Sequence, residues 1–196
     1  SKTNYKRFEE FEGIKIADIT TKLKKGTVPT KAIEHSIPEW LVETLEKELG
    51  EKWEKEMIAL NEKAPTVLRA NSLRTTPREL ISDLSDENVN AFTIRNYPDA
   101  VQLEEKKNVF LTTAFKEGLF EVQDASSQKI GYFLDVKEGQ RVVDACAGAG
   151  GKTLHLAALM GNKGQIIALD IFEWKLAELK RRAKRAGAHN IETRVI

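Results

Sequence analysis

Apolar positions change their period several times along the chain. Between residues 32 and 63 they recur every three or four places: Trp40, Leu41, Leu45 and Leu49, then Trp53, Met57 and Leu60, with Gly50 between the two runs. That spacing predicts two helices. Ser36 reads as the N-cap of the first, with Pro38 close behind and Glu39 three residues on, as in a capping box. Trp40 and Trp53 read as core residues, and His35, just before the cap, as a surface residue. From residue 65 the pattern shortens. Residues 65–73 alternate enough for a strand, and Thr76-Pro77 opens a helix through Leu80, Ile81 and Leu84. Residues 92–95 and 101–103 read as strands around turn signals at Asn96 and Pro98, and residues 108–111 as a further strand. The expectation is a small α+β module over residues 64–117, with strands and a helix packed on one face.

The most informative stretch is 141–170, RVVDACAGAGGKTLHLAALMGNKGQIIALD. A short apolar run ends in Asp144. A loop of small residues follows: Cys146, Ala147, Gly148, Ala149, Gly150 and Gly151. An apolar helix starts near Lys152 and stops at Gly161, and a second apolar run ends in Asp170. Strand, glycine loop, helix, strand and acid make half of a nucleotide-binding α/β fold. Glycines let the backbone turn sharply and approach a ligand closely. Amides opening a helix receive acceptor groups. A carboxylate at the end of the second strand can take both hydroxyls of a ribose.

Spacing excludes two common nucleotides. A P-loop needs glycine five places before Gly151, where this chain has Cys146. A dinucleotide fingerprint started at Gly148 and Gly150 ends on Thr153 instead of glycine or alanine. S-adenosylmethionine has a ribose and an adenine but no phosphate, and of the three it suits the loop best. Gly148 and Gly150 are then expected to lie against the cofactor.

On either side of this stretch the pattern continues. Residues 123–128 read as a capped helix start whose amide and hydroxyl side chains tie the small module to the sheet. After Asp170, residues 171–186 form an amphipathic helix with Leu176, Leu179, Ala183 and Ala186 on one face. Gly187 follows as its C-cap. Residues 192–196 begin a third parallel strand. The chain therefore divides into a helical segment over 1–63, the α+β module over 64–117, and the first part of a Rossmann-like domain over 118–196.

The stretch from Asp144 to Thr153 resembles the D-x-C-A-x-x-G-G-K-T signature of the RNA cytosine-5 methyltransferases, the NOL1/NOP2/Sun family. Residues 120–128, FEVQDASSQ, resemble that family's F-x-x-Q-D-x-x-S-Q, and the two blocks stand at the expected separation. Ala149 stands where the family usually has proline. The resemblance covers residues 30–196 and is nearest to the bacterial Sun/Fmu type, which methylates small-subunit ribosomal RNA. It implies an α/β, Rossmann-like class I methyltransferase fold, incomplete here, preceded by helices and an RNA-recognition-motif-like module. It implies S-adenosyl-L-methionine as cofactor, held by Cys146, Ala147, Gly148, Ala149, Gly150, Gly151, Lys152, Asp170 and Lys175, with Lys175 facing the cofactor carboxylate. Leu68-Arg69-Ala70-Asn71 resembles the family's L-R-x-N, which makes Arg69, Asn71 and Arg74 candidates for RNA contacts, against a plain docking role. The family's chemistry uses a cysteine thiolate on C6 of cytosine, and a second cysteine for release. The chain's single cysteine, Cys146, resembles the family's loop cysteine, which is not the nucleophile; it reads as a small buried residue. The catalytic residues are then expected beyond Ile196, and the 196-residue chain alone is expected to be inactive. A non-catalytic RNA- or ribosome-binding module is the competing reading.

Composition narrows the rest. The 196 residues are 41% hydrophobic and 31% charged, those of a soluble globular protein, and no apolar run is long enough to span a membrane. A lone cysteine excludes an internal disulfide and suits a reducing, cytoplasmic compartment. His155 and His189 have no sequence partners for a metal, so no metal site is expected. The net charge of +1 says little, but its distribution is uneven. Residues 34–63 carry nine acids against four bases, a poor RNA surface, whereas residues 171–186 carry six bases against two acids. A solvated helix face is the ordinary reading of the second, with phosphate steering as its alternative. Residues 22–26 read as a solvated turn.

Overall fold

The computed structural model describes residues 30–196. The chain splits into two compact units, Ser1–Lys63 and Ala64–Ile196. The turn at residues 22–26 lies outside the described residues.

In the first unit, α1 (Lys31–His35), α2 (Glu39–Leu49) and α3 (Trp53–Asn61) enclose a small core of Ala32, Val42, Trp53 and Met57. Ser36 does not cap α2. It ends α1 in the left-handed conformation, with φ of 57°, and α2 starts at Glu39 behind Pro38 with no side-chain cap. The buried face also differs from the expected one. Val42 is buried, and Trp40, two residues away and so about 200° round the helix, is 65% exposed. Leu49 and Leu60 are exposed as well. His35, expected on the surface, is buried edge-on against Trp53 at 5.3 Å.

The second unit holds two sheets. The first follows β-α-β-β-α-β order: β1 (Val67–Ala70), α4 (Pro77–Asp86), β2 (Ala91–Thr93), β3 (Ala100–Leu103), α5 (Thr113–Lys116) and β4 (Phe120–Val122). The strands are antiparallel in the order β2-β3-β1-β4. Leu68, Leu80, Leu84, Val101 and Phe120 fill its core. Thr76 caps α4 in a capping box with Glu79. Residues 109–111, expected as strand, form a 3₁₀ turn because Asn108 caps it by accepting from the Phe110 amide. β4 belongs to this sheet, although it falls past the boundary expected at residue 118.

The second sheet is parallel: β5 (Arg141–Asp144), β6 (Gln165–Asp170) and β7 (Ile191–Val195), in that order. Helix α6 (Ala125–Phe133) leads into it, α7 (Gly151–Leu159) joins β5 to β6, and α8 (Glu173–Ala186) joins β6 to β7. Leu154, Met160, Ile166, Leu176 and Leu179 form its core. Among the described residues no helix is long and apolar enough to cross a membrane.

Buried polar groups lock the two sheets together. Arg69 on β1 is 2% exposed. Its Nη1 donates to Gln123 Oε1 at 2.5 Å and to the Gly151 carbonyl at 2.7 Å. Burial lowers its pKa to about 10, so it stays charged near neutrality. Asn71 Nδ2 donates to the carbonyls of Gly118 and Ala186, both at 2.8 Å, and Arg74 Nε donates to Ala186 at 3.1 Å. These donors close the C-terminal end of α8, where positive charge is favoured. Arg69 and Asn71 are thus committed inside, and docking is the role the structure gives them. Gln128 Nε2 reaches the carbonyls of Leu68 and Gln123, and Asp124 caps α6, as the 123–128 block led us to expect.

A second lock lies beside the first. The Asp99 carboxylate accepts from Tyr132 Oη at 2.5 Å and faces His155 Nε2 at 3.3 Å. His155, read from sequence as incidental, is 1% exposed on the inner face of α7. Burial holds its pKa below the ordinary histidine value, against the pull of Asp99. Burial raises the Asp99 pKa, yet the hydrogen bonds from His155 and Tyr132 outweigh it and leave the carboxyl below its usual range.

Both shifts have the same sign for stability. A histidine depressed in the folded state contributes fully above its unfolded value of about 6.5, and the contribution is lost as pH falls through the folded value. Asp99 acts likewise at lower pH. Urea midpoints should therefore drop between about pH 7 and pH 5, and drop less in His155→Gln, which keeps a donor for Asp99 but cannot titrate. Parallel pH profiles for the two proteins would refute this role for His155.

Candidate functional site

The carboxyl ends of β5 and β6 converge on one loop. Asp144 ends β5 and accepts from Thr153 Oγ1 at 2.7 Å, fixing the first turn of α7 to the strand. Thr153 is fully buried in this bond, so Lys152-Thr153 is a helix start here. The loop closes on itself and on β6: the Ala147 amide donates to Leu169, and the Gly150 amide to Ala147, both at 2.9 Å.

Asp170 organises the centre. One carboxylate oxygen accepts from the Gly148 amide at 2.8 Å and the other from the Phe172 amide at 3.0 Å. The Phe172 amide chiefly, then the Gly148 amide and Lys175, hold this carboxyl below its usual range despite desolvation. Each oxygen keeps a lone pair for a further donor. Ile171, Phe172 and Trp174 stand exposed just beyond, and Lys175 Nζ lies 4.5 Å from the Phe172 ring centre.

The nine candidate residues are brought together but do not share one role. Gly148 has φ of +54°, and a Cβ there would meet open space. Its glycine serves the turn, and its open side faces no protein atom. Gly150 has φ of +86°, and a Cβ there would lie 2.6 Å from Leu179 Cγ. It is glycine because α8 packs against it, so its side-chain position does not face a ligand as expected. Ala147 sits in the core. Ala149 and Gly151 are half-buried and Lys152 is exposed. Cys146, expected to be buried, is exposed, because Ala147 takes the inward position next to it.

Two contacts escaped the sequence reading. The Ala149 carbonyl accepts from Arg182 Nη1 at 2.8 Å, and Arg182 also pairs with the buried Glu121. Glu121 sits between Phe120 and Val122 with no motif of its own to mark it; only the excess of arginine on α8 hints at a buried acid.

Comparison with known proteins fits this geometry. The family described as Methyltr_RsmF/B-like, ferredoxin-like domain matches residues 37–110, and 16S rRNA methyltransferase RsmB/F matches residues 131–195. This chain belongs to the RsmB/F family of RNA methyltransferases. Ribosomal RNA small subunit methyltransferase B of Proteus mirabilis (strain HI4320) is 33% identical over 152 residues, covering 78% of this chain and 36% of that protein. The chain thus spans about a third of that relative's length. The crystal structure of PH0851 superposes with a TM-score of 0.80 at 30% identity, over 90% of this chain and 42% of that one. A methyltransferase homolog protein from Pyrococcus horikoshii gives 0.75 at 28%, over 84% and 54%. The β-α-β-β-α-β order of the small sheet agrees with the ferredoxin-like description, and the parallel sheet with a Rossmann-like methyltransferase.

The two glycines should separate cleanly on substitution. Gly150→Ala drives a methyl into Leu179 and should cost more than about 2 kcal/mol. Gly148→Ala meets no atom and should cost only about 1 kcal/mol for its positive φ. Urea unfolding of both variants checks this, and equal losses would contradict the assignment.

Proposed function

We propose that this chain is the cofactor-binding part of an enzyme that transfers a methyl group from S-adenosyl-L-methionine to C5 of a cytosine in small-subunit ribosomal RNA. The observation that carries the reading is Asp170: a carboxylate at the end of β6 with spare acceptor capacity, held against an open glycine loop. The residues present fit the cofactor. The Asp170 lone pairs suit two ribose hydroxyls, the exposed Phe172 and Trp174 offer apolar faces for adenine, and Thr153 is buried on Asp144 instead of being turned toward a phosphate. When bound, the cofactor supplies an electrophilic methyl on a sulfonium.

In this reading the chain positions and does not activate. Gly148, Ala149 and Gly151 shape the wall of the site. This reading assigns Lys152, exposed in the first turn of α7, and Lys175, close enough to Asp170 to lower its pKa, to the cofactor's carboxylate. Cys146 stays a loop residue with no role on the base. The family resemblance puts the attack on C6 of cytosine in the hands of a thiolate, and this sequence has only Cys146. The 196-residue chain should then bind cofactor yet methylate no RNA. RNA is the partner this reading requires, and the compartment it suits is the cytoplasm.

Two measurements test the proposal. Asp170→Asn keeps the side-chain shape but replaces one acceptor oxygen with a donor. Calorimetry with S-adenosylmethionine should show at least about tenfold weaker binding than the parent chain. Unchanged affinity would overturn the ribose assignment. Tritiated methyl transfer to unmodified ribosomal RNA should be absent with this chain alone. A covalent adduct between Cys146 and a 5-fluorocytosine RNA would refute the role given to Cys146.

A further inference from the structure

A groove of about 730 Å³ runs between the small sheet and α8, lined by Phe110, Phe115, Lys116, Glu121, Arg181 and Arg185 among others. Its floor is aromatic. Phe115 packs edge-on against Phe110 at 5.0 Å, and the Arg185 guanidinium lies 3.9 Å above the Phe115 ring centre. Phe110 itself is 54% exposed in the 3₁₀ turn. Its walls are cationic. Lys116, Arg181, Arg182 and Arg185 face two carboxylates, Glu121 and Glu178. Glu121 is buried and satisfied by Arg182 at 2.8 Å and Arg185 at 2.5 Å, so its charge is spent inside. Arg181 extends outward with its side chain 78% exposed, held at 2.7 Å by Glu178 on the rim.

We propose that this groove binds a single-stranded segment of RNA, with a base on Phe110 and the flanking phosphates on Lys116 and Arg181. Cations alone would suit any polyanion. An exposed ring in a groove lined by cations adds a stacking surface that an unpaired base can reach and a duplex cannot. Exposed ion pairs such as Arg181–Glu178 are weak and exchange readily for a phosphate. The groove also adjoins the loop: Arg182 spans from Glu121 to the Ala149 carbonyl. RNA seated there would lie next to the candidate cofactor site. The inference rests on the reading of RNA as substrate, but it concerns a surface of the chain that reading does not use.

The test is fluorescence anisotropy with a short labelled single-stranded RNA, without cofactor, on the 196-residue chain. Lys116→Glu and Arg181→Glu should weaken binding, and each should flatten the slope of log affinity against log salt by roughly 0.7. Phe110→Ala should weaken binding about tenfold with the slope unchanged. Glu178→Gln, which removes a rim carboxylate, should tighten it. Lys137→Glu, a matched charge change outside the groove, should shift it little. The same strand annealed into a duplex should bind more weakly and ignore Phe110→Ala. The inference is overturned if Phe110→Ala binds like the parent, if Lys137→Glu weakens binding as much as Arg181→Glu, or if polyglutamate competes as well as RNA and its binding responds equally to Phe110→Ala. Circular dichroism melts and S-adenosylmethionine calorimetry on each variant distinguish this from misfolding and from failure of the cofactor reading. A chain that binds RNA through the groove but no cofactor would sink the earlier proposal and leave this one standing.

Discussion

The second unit depends on one buried charge. Arg69 leaves the small sheet and delivers its guanidinium to Gln123, beside α6, and to Gly151, the first residue of α7. A guanidinium taken out of water is costly unless its donors are used, and removing it would strand two acceptors in the interior. Burial lowers its pKa and its Nε finds no partner, while Glu121 and Asp99 lie close enough to favour the charge. Asn71 and Arg74 extend the same segment to the end of α8. Three residues within six positions therefore fix the small sheet against both helices that flank β6. The glycine loop ends in a helix whose first carbonyl is held by another sheet.

That constraint bears on function through order. The loop is pinned by the hydrogen bond from the Gly148 amide to Asp170, by Thr153 on Asp144 and by Arg69 on Gly151 before any ligand arrives. A site whose backbone is already fixed loses less conformational freedom on binding. Asp170 then has two tasks on different lone pairs: it fixes the loop and it presents acceptors. A substitution there disturbs both: even an amide, which keeps the shape, sets an NH2 donor against one of the two backbone amides that Asp170 now accepts.

The parallel half of the fold was legible because its signals are local. Two apolar runs each end in an acid, a loop of residues without bulk lies between, and an apolar helix connects them; no distant contact is needed to read that. The four-stranded sheet was legible except at residues 108–111, where a side-chain cap on one amide overrides an apolar run, and at β4, whose partner strand lies fifty residues earlier. What failed was burial. Ser36, in a left-handed conformation, ends one helix where it was expected to begin another, and Trp40 faces outward where Val42 faces in. His155 and Glu121 are polar residues whose partners, Asp99 and Arg182, are 56 and 61 residues away. Nothing near them in sequence reports those partners. Cys146 and Ala147 are neighbours of similar size, so which of them faces inward is set by the Ala147 amide bond to β6.

The basic helix shows the same limit in one element. In sequence, six bases on α8 form a single charged face, and a solvated surface is the ordinary explanation. Side chains three and four apart share a face, but they need not share an environment. Arg182 and Arg185 turn toward buried Glu121 and tie the helix to β4, while Arg181, beside them, stays in solvent. Without Glu121 the pair would repel across one turn; with it they form a fixed cationic wall at the seam. The charge that looked like a solubility feature is thus divided between holding the two sheets together and lining a groove.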